Sequence, residues 1–169
     1  MKDAFSFILA TTPVQVRAYY DLRHQIFCNE QGLFAETDRD AWDTVAYPIV
    51  ALQVDGSNTV QVVGVVRIYE TEPGIWYGGR LGVDPDFRRQ GQIGKGLIHK
   101  AVTTAHGWGC KQFLATVQLQ NVRFFRRLHW QTLSEISLLD RPHHLMQANQ
   151  AAYPPEIQPR PMLEWAEVS

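Results

Sequence analysis

The stretch between residues 75 and 106 constrains the fold more than any other part of the chain. Residues 75–83 predict a strand, and apolar residues at every fourth position predict an amphipathic helix over 92–106. Glycines in the turn between them let a ligand approach the backbone closely, and the free N–H groups at a helix start attract phosphate. The junction therefore predicts a phosphate site, with contributions from Arg88, Arg89, Gly91, Gly94, Lys95 and Gly96.

Two familiar phosphate motifs do not fit this turn. The Walker A motif has the pattern G-x-x-x-x-G-K-[ST], but here Arg89 stands at the first position and Gly96 follows Lys95. The dinucleotide fingerprint G-x-G-x-x-G fails because Gly91, Gly94 and Gly96 have the reverse spacing. A glycine-rich helix start with solvated arginines remains open as the alternative.

The order of the remaining elements predicts one mixed sheet. Thr12 and Gln15 form a capping box at the start of the first helix, and short turns, one of them at 55–58, join the next strands into an antiparallel meander. The fold class is α/β (α+β), a mostly antiparallel sheet with helices over its faces. The predicted strands are 5–9, 49–54, 60–69, 75–83, 113–117, 132–139 and 143–148, and the predicted helices are 12–30, 92–106 and 121–128.

The length of 169 residues suits a single domain. We assign residues 1–152 to this domain and the proline-rich residues 153–169 to an extended C-terminal tail, packed by Met162, Leu163 and Trp165. A net charge of −1 argues against a nucleic-acid partner, and no apolar run reaches the ~18 residues of a membrane helix. Cys28 and Cys110 match no metal-ligand spacing, so we expect no metal site and two reduced, buried thiols in a cytoplasmic protein.

Several of these segments together resemble the GNAT superfamily of acyl-CoA-dependent N-acyltransferases. The sequence RRQGQIG of residues 88–94 is similar to its Q/R-x-x-G-x-G/A motif, and RLGV of 80–83 to its splayed central strand, whose exposed backbone pairs with pantetheine. Residues 113–117 and 121–130 resemble the later strand and the N…FY.KLGF segment. The resemblance covers residues 5–148 and implies a single acyltransferase domain whose sheet is splayed in the middle. It implies that acetyl-CoA, as acyl donor, contacts Leu81, Gly82, Val83, Arg88, Arg89, Gln90, Gly91, Gln92, Ile93, Gly94, Lys95, Gly96, Asn121 and Phe125.

The chain departs from the family pattern at a few positions. Ile93 stands where the motif has its next small residue, which leaves the phosphate register uncertain by one. Phe125 replaces the tyrosine that often protonates the leaving thiolate, and His129 replaces a glycine. The opening over residues 23–43 resembles a little-characterised bacterial GNAT subgroup linked to nitrilase gene clusters and, more loosely, acyl-homoserine-lactone (AHL) synthases.

The resemblance implies direct transfer of an acetyl group to a primary amine, which requires a base. We predict Glu30 or Glu70 for that role, each of which could also be a solvated surface glutamate. Arg67 and Arg80 would bind an acceptor carboxylate or form structural ion pairs, and only one of His143 and His144 can face the substrate, because neighbours on a strand point to opposite faces. The other candidate bases are Asp38, Asp43 and Glu72. The acidic cluster of residues 38–40 would otherwise be a solvated loop or attract a cationic amine electrostatically.

Two further functions remain open beside the N-acetyltransferase. Position 125 is a phenylalanine where the family often has a tyrosine. This is compatible with a non-catalytic acyl-CoA sensor, which would bind CoA without turnover. An AHL-synthase-like enzyme would need a deep apolar tunnel for a longer acyl chain. The acceptor is expected to be a small-molecule amine or a peptide, and the resemblance admits a homodimer.

Overall fold

The structure of the protein is a computed structural model that describes residues 4–54 and 59–163, so the predicted turn at 55–58 and Trp165 lie outside the described residues. The strands are β1 (Ala4–Leu9), β2 (Tyr47–Val54), β3 (Val60–Glu72), β4 (Ile75–Val83), β5 (Gln112–Gln118), β6 (Trp130–Leu138) and β7 (Arg141–Ala148). They form one seven-stranded sheet in the order β1-β2-β3-β4-β5-β7-β6. All neighbours in it are antiparallel except β4 and β5, as expected for a mostly antiparallel sheet.

Helices cover both faces of the sheet. On one face, α1 (Pro13–Arg23) begins at the Thr12 capping box and continues as a π-helix over His24–Glu30, so the predicted extent of this helix is confirmed. On the other face, α2 (Gln92–Gly107) packs into the larger hydrophobic core, with α3 (Val122–Arg127) beside it. No helix in the described part of the chain is long and apolar enough to cross a bilayer.

The two central strands separate halfway along their length. The first four residues of β4 pair with the first four of β5, whereas Gly79–Val83 pair only with β3. Arg80 and Leu81 together lie opposite the single residue Val66, which is a β-bulge, and Arg80 has a φ of +51°. A bulge bends its strand, so β4 leaves β5 here and exposes one backbone edge. The predicted splay is confirmed.

Two buried carboxylates tie α1 to the loop that follows it. The Arg23 side chain is fully buried and donates to Asp38 at 2.7 Å and to Asp43 at 2.6 Å. It also donates to the Tyr19 hydroxyl at 3.0 Å. Burial alone would raise the pKa of Asp43, but its hydrogen bonds with Arg23 hold that pKa below the usual value. The loop is therefore anchored in the interior and does not form the solvated acidic segment that the sequence suggested.

The same loop reaches the central strands through two further arginines. Arg67 on β3 binds Asp40 through parallel hydrogen bonds of 2.7 and 2.8 Å. Arg80 on the bulge donates to the carbonyl oxygen of Asp38 at 2.7 Å. Both side chains thus form structural ion pairs, one of the two roles predicted for them. We call these six residues the arginine–aspartate cluster: Arg23, Asp38, Asp40, Asp43, Arg67 and Arg80.

The described part of the C-terminal tail packs along α2. The Glu156 N–H donates to the Thr103 carbonyl at 3.0 Å, and the Trp108 indole N–H donates to the Gln158 carbonyl at 2.8 Å. A Cβ added at Gly107 would lie 1.9 Å from the Glu156 carbonyl oxygen. Glycine at the end of α2 is therefore required by the backbone of the tail that crosses it.

Replacing Gly107 with alanine will destabilise the protein. Helix propensity alone would give a gain of about 1 kcal/mol, but the clash with the Glu156 backbone should cost more and produce a net loss of about 1–3 kcal/mol. Chemical denaturation measures the difference. In a chain that ends at Pro155 the same substitution should stabilise, and a loss in that shorter chain too would contradict the packing explanation.

Asp43→Asn will lower the free energy of unfolding by about 3–5 kcal/mol at neutral pH, because it leaves Arg23 buried without its full charge partner. Since the pKa of Asp43 is lowered in the folded protein, its contribution is complete above the unfolded-state value of about 4 and disappears as the pH falls below it. Denaturation at several pH values should show a weaker acid dependence in the variant. The exposed Asp21→Asn serves as control, and an equal loss in both would refute this role.

Candidate active site

A cavity of about 400 Å³ opens where β4 and β5 separate. It extends to both faces of the sheet. On the α2 face its walls are buried and apolar, and we call this end the apolar chamber: Val66, Ala101, Val102, Phe113, Val117 and Trp130. On the α1 face it meets polar side chains, and we call this the polar end: Arg67, Tyr69, Tyr77, Arg80, Gln118 and His143. A ligand at the unpaired edge of β4 would contact both ends.

Stacked aromatic rings form one wall of the polar end. Tyr69 and Tyr77 lie opposite each other on β3 and β4, with ring centroids 6.0 Å apart. Trp42 stacks on Tyr69 at 4.7 Å. The Asp40 carboxylate also lines the cavity, and its pKa is lowered because the Arg67 hydrogen bonds outweigh its partial burial. Both carboxylate oxygens of Asp40 accept from Arg67, which balances its charge, so the aromatic faces are what favour a cationic group such as an amine.

His143 is a buried imidazole at the polar end, with 7% of its surface exposed. Its Nδ1 lies 2.9 Å from the carbonyl oxygen of Arg141, an acceptor that requires the proton to be on Nδ1. The Nε2 atom of a neutral ring is then left as an acceptor. His144 points to the other face, where its Nδ1 meets the Thr132 hydroxyl at 2.9 Å. Only His143 lines the cavity, in agreement with the alternation expected along a strand.

The glycine turn leads directly from the open edge of β4 into α2. Gly91 is the N-cap of α2 and has a φ of +66°, which favours glycine. The Phe124 ring lies against Gly91 and Gly94, and added Cβ atoms would come within 2.9 and 3.6 Å of it. Arg89 and Lys95 are exposed beside this turn. The backbone N–H groups of the first helical turn, beginning at Gln92, are the ones available to an anion.

Other predicted contacts of this turn have structural roles. The Ile93 side chain is 3% exposed and lies in the larger core, which leaves only its backbone for a ligand. A Cβ on Gly96 would come within 2.1 Å of the Phe7 ring, so this glycine allows α2 to pack on β1. Leu81 lines the cavity, whereas Gly82 is buried against Ile26.

Glu30, one of the predicted bases, is bound to the glycine turn. Its carboxylate receives two hydrogen bonds from Arg88, at 2.5 and 2.6 Å, and these lower the pKa of Glu30. Arg88 also donates to the Val83 carbonyl at 2.8 Å. The pair therefore joins the end of the π-helix to the end of β4. Glu30 is not among the residues that line the cavity.

Glu70, the other predicted base, lies at the opposite end of the sheet from the glycine turn. Its carboxylate accepts from the Gly74 N–H at 2.9 Å, at the turn between β3 and β4, and from Arg160 of the tail at 3.2 Å. It does not line the cavity either. Asp38 and Asp43, the loop candidates, are held in the arginine–aspartate cluster.

The segment after β5 closes the cavity on its remaining side. Asn121 and Phe125 both line it, and Phe125 is 6% exposed. A phenylalanine has no proton to give, so within this wall it acts through packing alone. His129 has a φ of +72°, a conformation that explains why a glycine would suit this position better.

Tyr69 and Tyr77 were not predicted from the sequence as site residues. The alternation of Arg67 and Tyr69 along β3 is a signal that could have placed both on one face. Nothing local indicates that Asp40, from a loop, would meet them there. Nor does the local pattern select between the two histidines on β7.

Comparison of the sequence with protein-family models gives a match that is consistent with this fold and cavity. The model of the acetyltransferase (GNAT) family matches residues 16–130, more than half of the chain. No curated protein is significantly similar to the chain in sequence.

Solved structures share its fold at low sequence identity. A candidate N-acetyltransferase from Lactobacillus plantarum is 20% identical with a TM-score of 0.75, over 86% of this chain and 97% of that one. Escherichia coli ElaA is 21% identical with a TM-score of 0.72, over 88% and 100% of the two chains. The AHL synthase LasI is 13% identical with a TM-score of 0.70, over 94% and 100%. The family match and the splayed sheet together lead to one conclusion: the chain is an enzyme of the GNAT family of acetyltransferases.

Proposed function

We propose that the protein transfers an acyl group from acyl-CoA to a primary amine of a small molecule or peptide, by direct attack in a ternary complex. In the simplest case the donor is acetyl-CoA and the protein is an N-acetyltransferase. The observation that carries the proposal is the unpaired edge of β4 over residues 79–83, whose first three residues line the cavity and whose end leads into the glycine turn.

The fit of the donor rests on backbone groups that lack a strand partner. The free edge of β4 offers N–H and C=O groups to the amides of a pantetheine arm, as an added strand would. At the end of that edge, the N-terminal turn of α2 and the exposed Arg89 and Lys95 provide for the pyrophosphate. The same edge can polarise the thioester carbonyl, which is worth about 3 kcal/mol in comparable sites.

The acceptor amine is proposed to enter at the polar end. The aromatic wall attracts its cationic form, and Nε2 of His143 accepts the first proton that the nitrogen loses. The neutral amine then forms the new C–N bond while the C–S bond breaks. Its second proton passes to water, and because Phe125 has no proton to donate, water delivers a proton to the leaving thiolate. We propose His143 in place of Glu30 and Glu70 because those carboxylates are paired elsewhere.

The state of the two cysteines supports a cellular location for the enzyme. Both cysteines, Cys28 and Cys110, are free and buried, which supports a reducing, cytoplasmic environment. The likeness to the nitrilase-linked subgroup and a homodimer remain expectations of the resemblance.

The double variant Arg89→Glu, Gly94→Asp will bind acetyl-CoA at least about tenfold more weakly than the wild type, because it removes a charge-assisted contact and places a carboxylate at the phosphate site. Isothermal titration calorimetry measures the affinities. Arg17→Glu, the same charge reversal as Arg89→Glu but on the exposed side of α1, is the control. Equal affinity in all three proteins would place the donor elsewhere, and absence of binding by folded wild type would overturn the proposal.

His143→Gln will reduce kcat/KM for amine acylation by about a hundredfold or more, while leaving acetyl-CoA affinity unchanged. A thiol-release assay over a panel of primary amines measures kcat/KM, and isothermal titration calorimetry measures the acetyl-CoA affinity. His144→Gln, an equally buried neighbour on the other face, is the control. Equal activity of the two variants would exclude His143 as base, and binding without turnover on any amine would favour the sensor function.

A further inference from the structure

The cavity that contains the apolar chamber is larger than an acetyl group alone needs. An acetyl group fills about the volume of two water molecules, roughly 60 Å³ in the liquid, whereas the whole cavity measures about 400 Å³. The amine and the thioester belong at the polar end and at the edge of β4. The chamber on the α2 face is therefore left without an occupant by the proposed function.

The walls of the chamber select an apolar occupant. All six of its residues are 5% exposed or less. The one polar atom among their side chains, the indole N–H of Trp130, donates to the Tyr153 hydroxyl at 3.2 Å, and that hydroxyl donates in turn to the Leu128 carbonyl. The amides of a pantetheine arm would find no partner among these side chains, and burying them unpaired is unfavourable. Water would be equally poorly bound, because it needs polar partners.

The chamber is also continuous with the position of the reacting thioester. Leu81, on the unpaired edge of β4, lines the same cavity as Val66 and Phe113 of the chamber. A chain attached to the thioester carbon can therefore pass between β4 and β5 and run towards α2. Its methylene groups would leave water for a surface formed by valine, alanine and aromatic rings.

We infer that the donor carries an alkyl chain of about six to eight carbons, which lies in the apolar chamber. This inference rests on the proposed acyl transfer and specifies its donor. The amine acceptor, the attack on the thioester and the role of the glycine turn stay the same. The medium-chain thioester takes the place of acetyl-CoA.

Calorimetric titration of the full chain with CoA, acetyl-CoA, hexanoyl-CoA and octanoyl-CoA tests the inference. Each methylene buried from water strengthens binding by up to about fourfold. We expect octanoyl-CoA to bind at least about thirtyfold more tightly than acetyl-CoA, with hexanoyl-CoA between them. CoA and acetyl-CoA should differ little, because the chamber stays empty with both.

Two variants of α2 locate the chain in the chamber. Ala101→Leu fills part of it, so we expect octanoyl-CoA to bind at least about tenfold more weakly and acetyl-CoA to keep its affinity. Val102→Ala enlarges the chamber and should move the preferred donor from octanoyl-CoA towards decanoyl-CoA. The second variant decides the matter if the first packs too tightly to fold.

Each result has a distinct meaning. Equal affinity for acetyl-CoA and octanoyl-CoA would overturn the inference and leave the proposed acyl transfer intact. Tight binding of octanoyl-CoA that neither variant alters would also overturn it, because the chain would then lie elsewhere. If the folded protein binds neither CoA nor any thioester, the proposed function itself fails.

Discussion

The arginine–aspartate cluster is the interaction on which the rest of the site depends. It joins α1, the loop after the π-helix, β3 and the bulge of β4 in one buried network. Without it, Arg23 and Arg67 would be cations in the interior with no counter-charge. Burying such charges costs several kcal/mol per ion unless hydrogen bonds compensate each of them, and here bonds of 2.6 to 2.8 Å do so. The network fixes geometry more than it adds stability.

The geometry of this cluster is linked to the separation of β4 from β5. Arg80 sits in a left-handed backbone conformation, and its guanidinium is held by the Asp38 carbonyl. A non-glycine residue keeps such a conformation only where its surroundings impose it. The bulge turns β4 away from β5, and the separation leaves a backbone edge without a strand partner beside a cavity. A strained residue in the middle of the sheet thus leads directly to the proposed donor site.

The fold is shared with proteins of low sequence identity, so the chemistry has to be argued from the lining of the cavity. Proteins only 13 to 21% identical keep the same architecture, so the architecture says little about the acceptor or the donor. Phe125, His143 and the apolar chamber are the features from which the proposed chemistry is argued. The proposal places a base without a matching acid on one face of the sheet and an alkyl chain on the other.

The sequence alone determined the elements whose signals are local. Strand 75–83, the Thr12 capping box and the glycine turn before α2 were all predicted, because periodicity, caps and turn residues act over a few positions. Only the tertiary structure decided which of the predicted bases are held in ion pairs with distant residues. Glu30 meets Arg88, and Glu70 meets Arg160, across 58 and 90 residues of sequence. Such pairings depend on how distant elements pack, and they leave His143, not a carboxylate, as the proposed base.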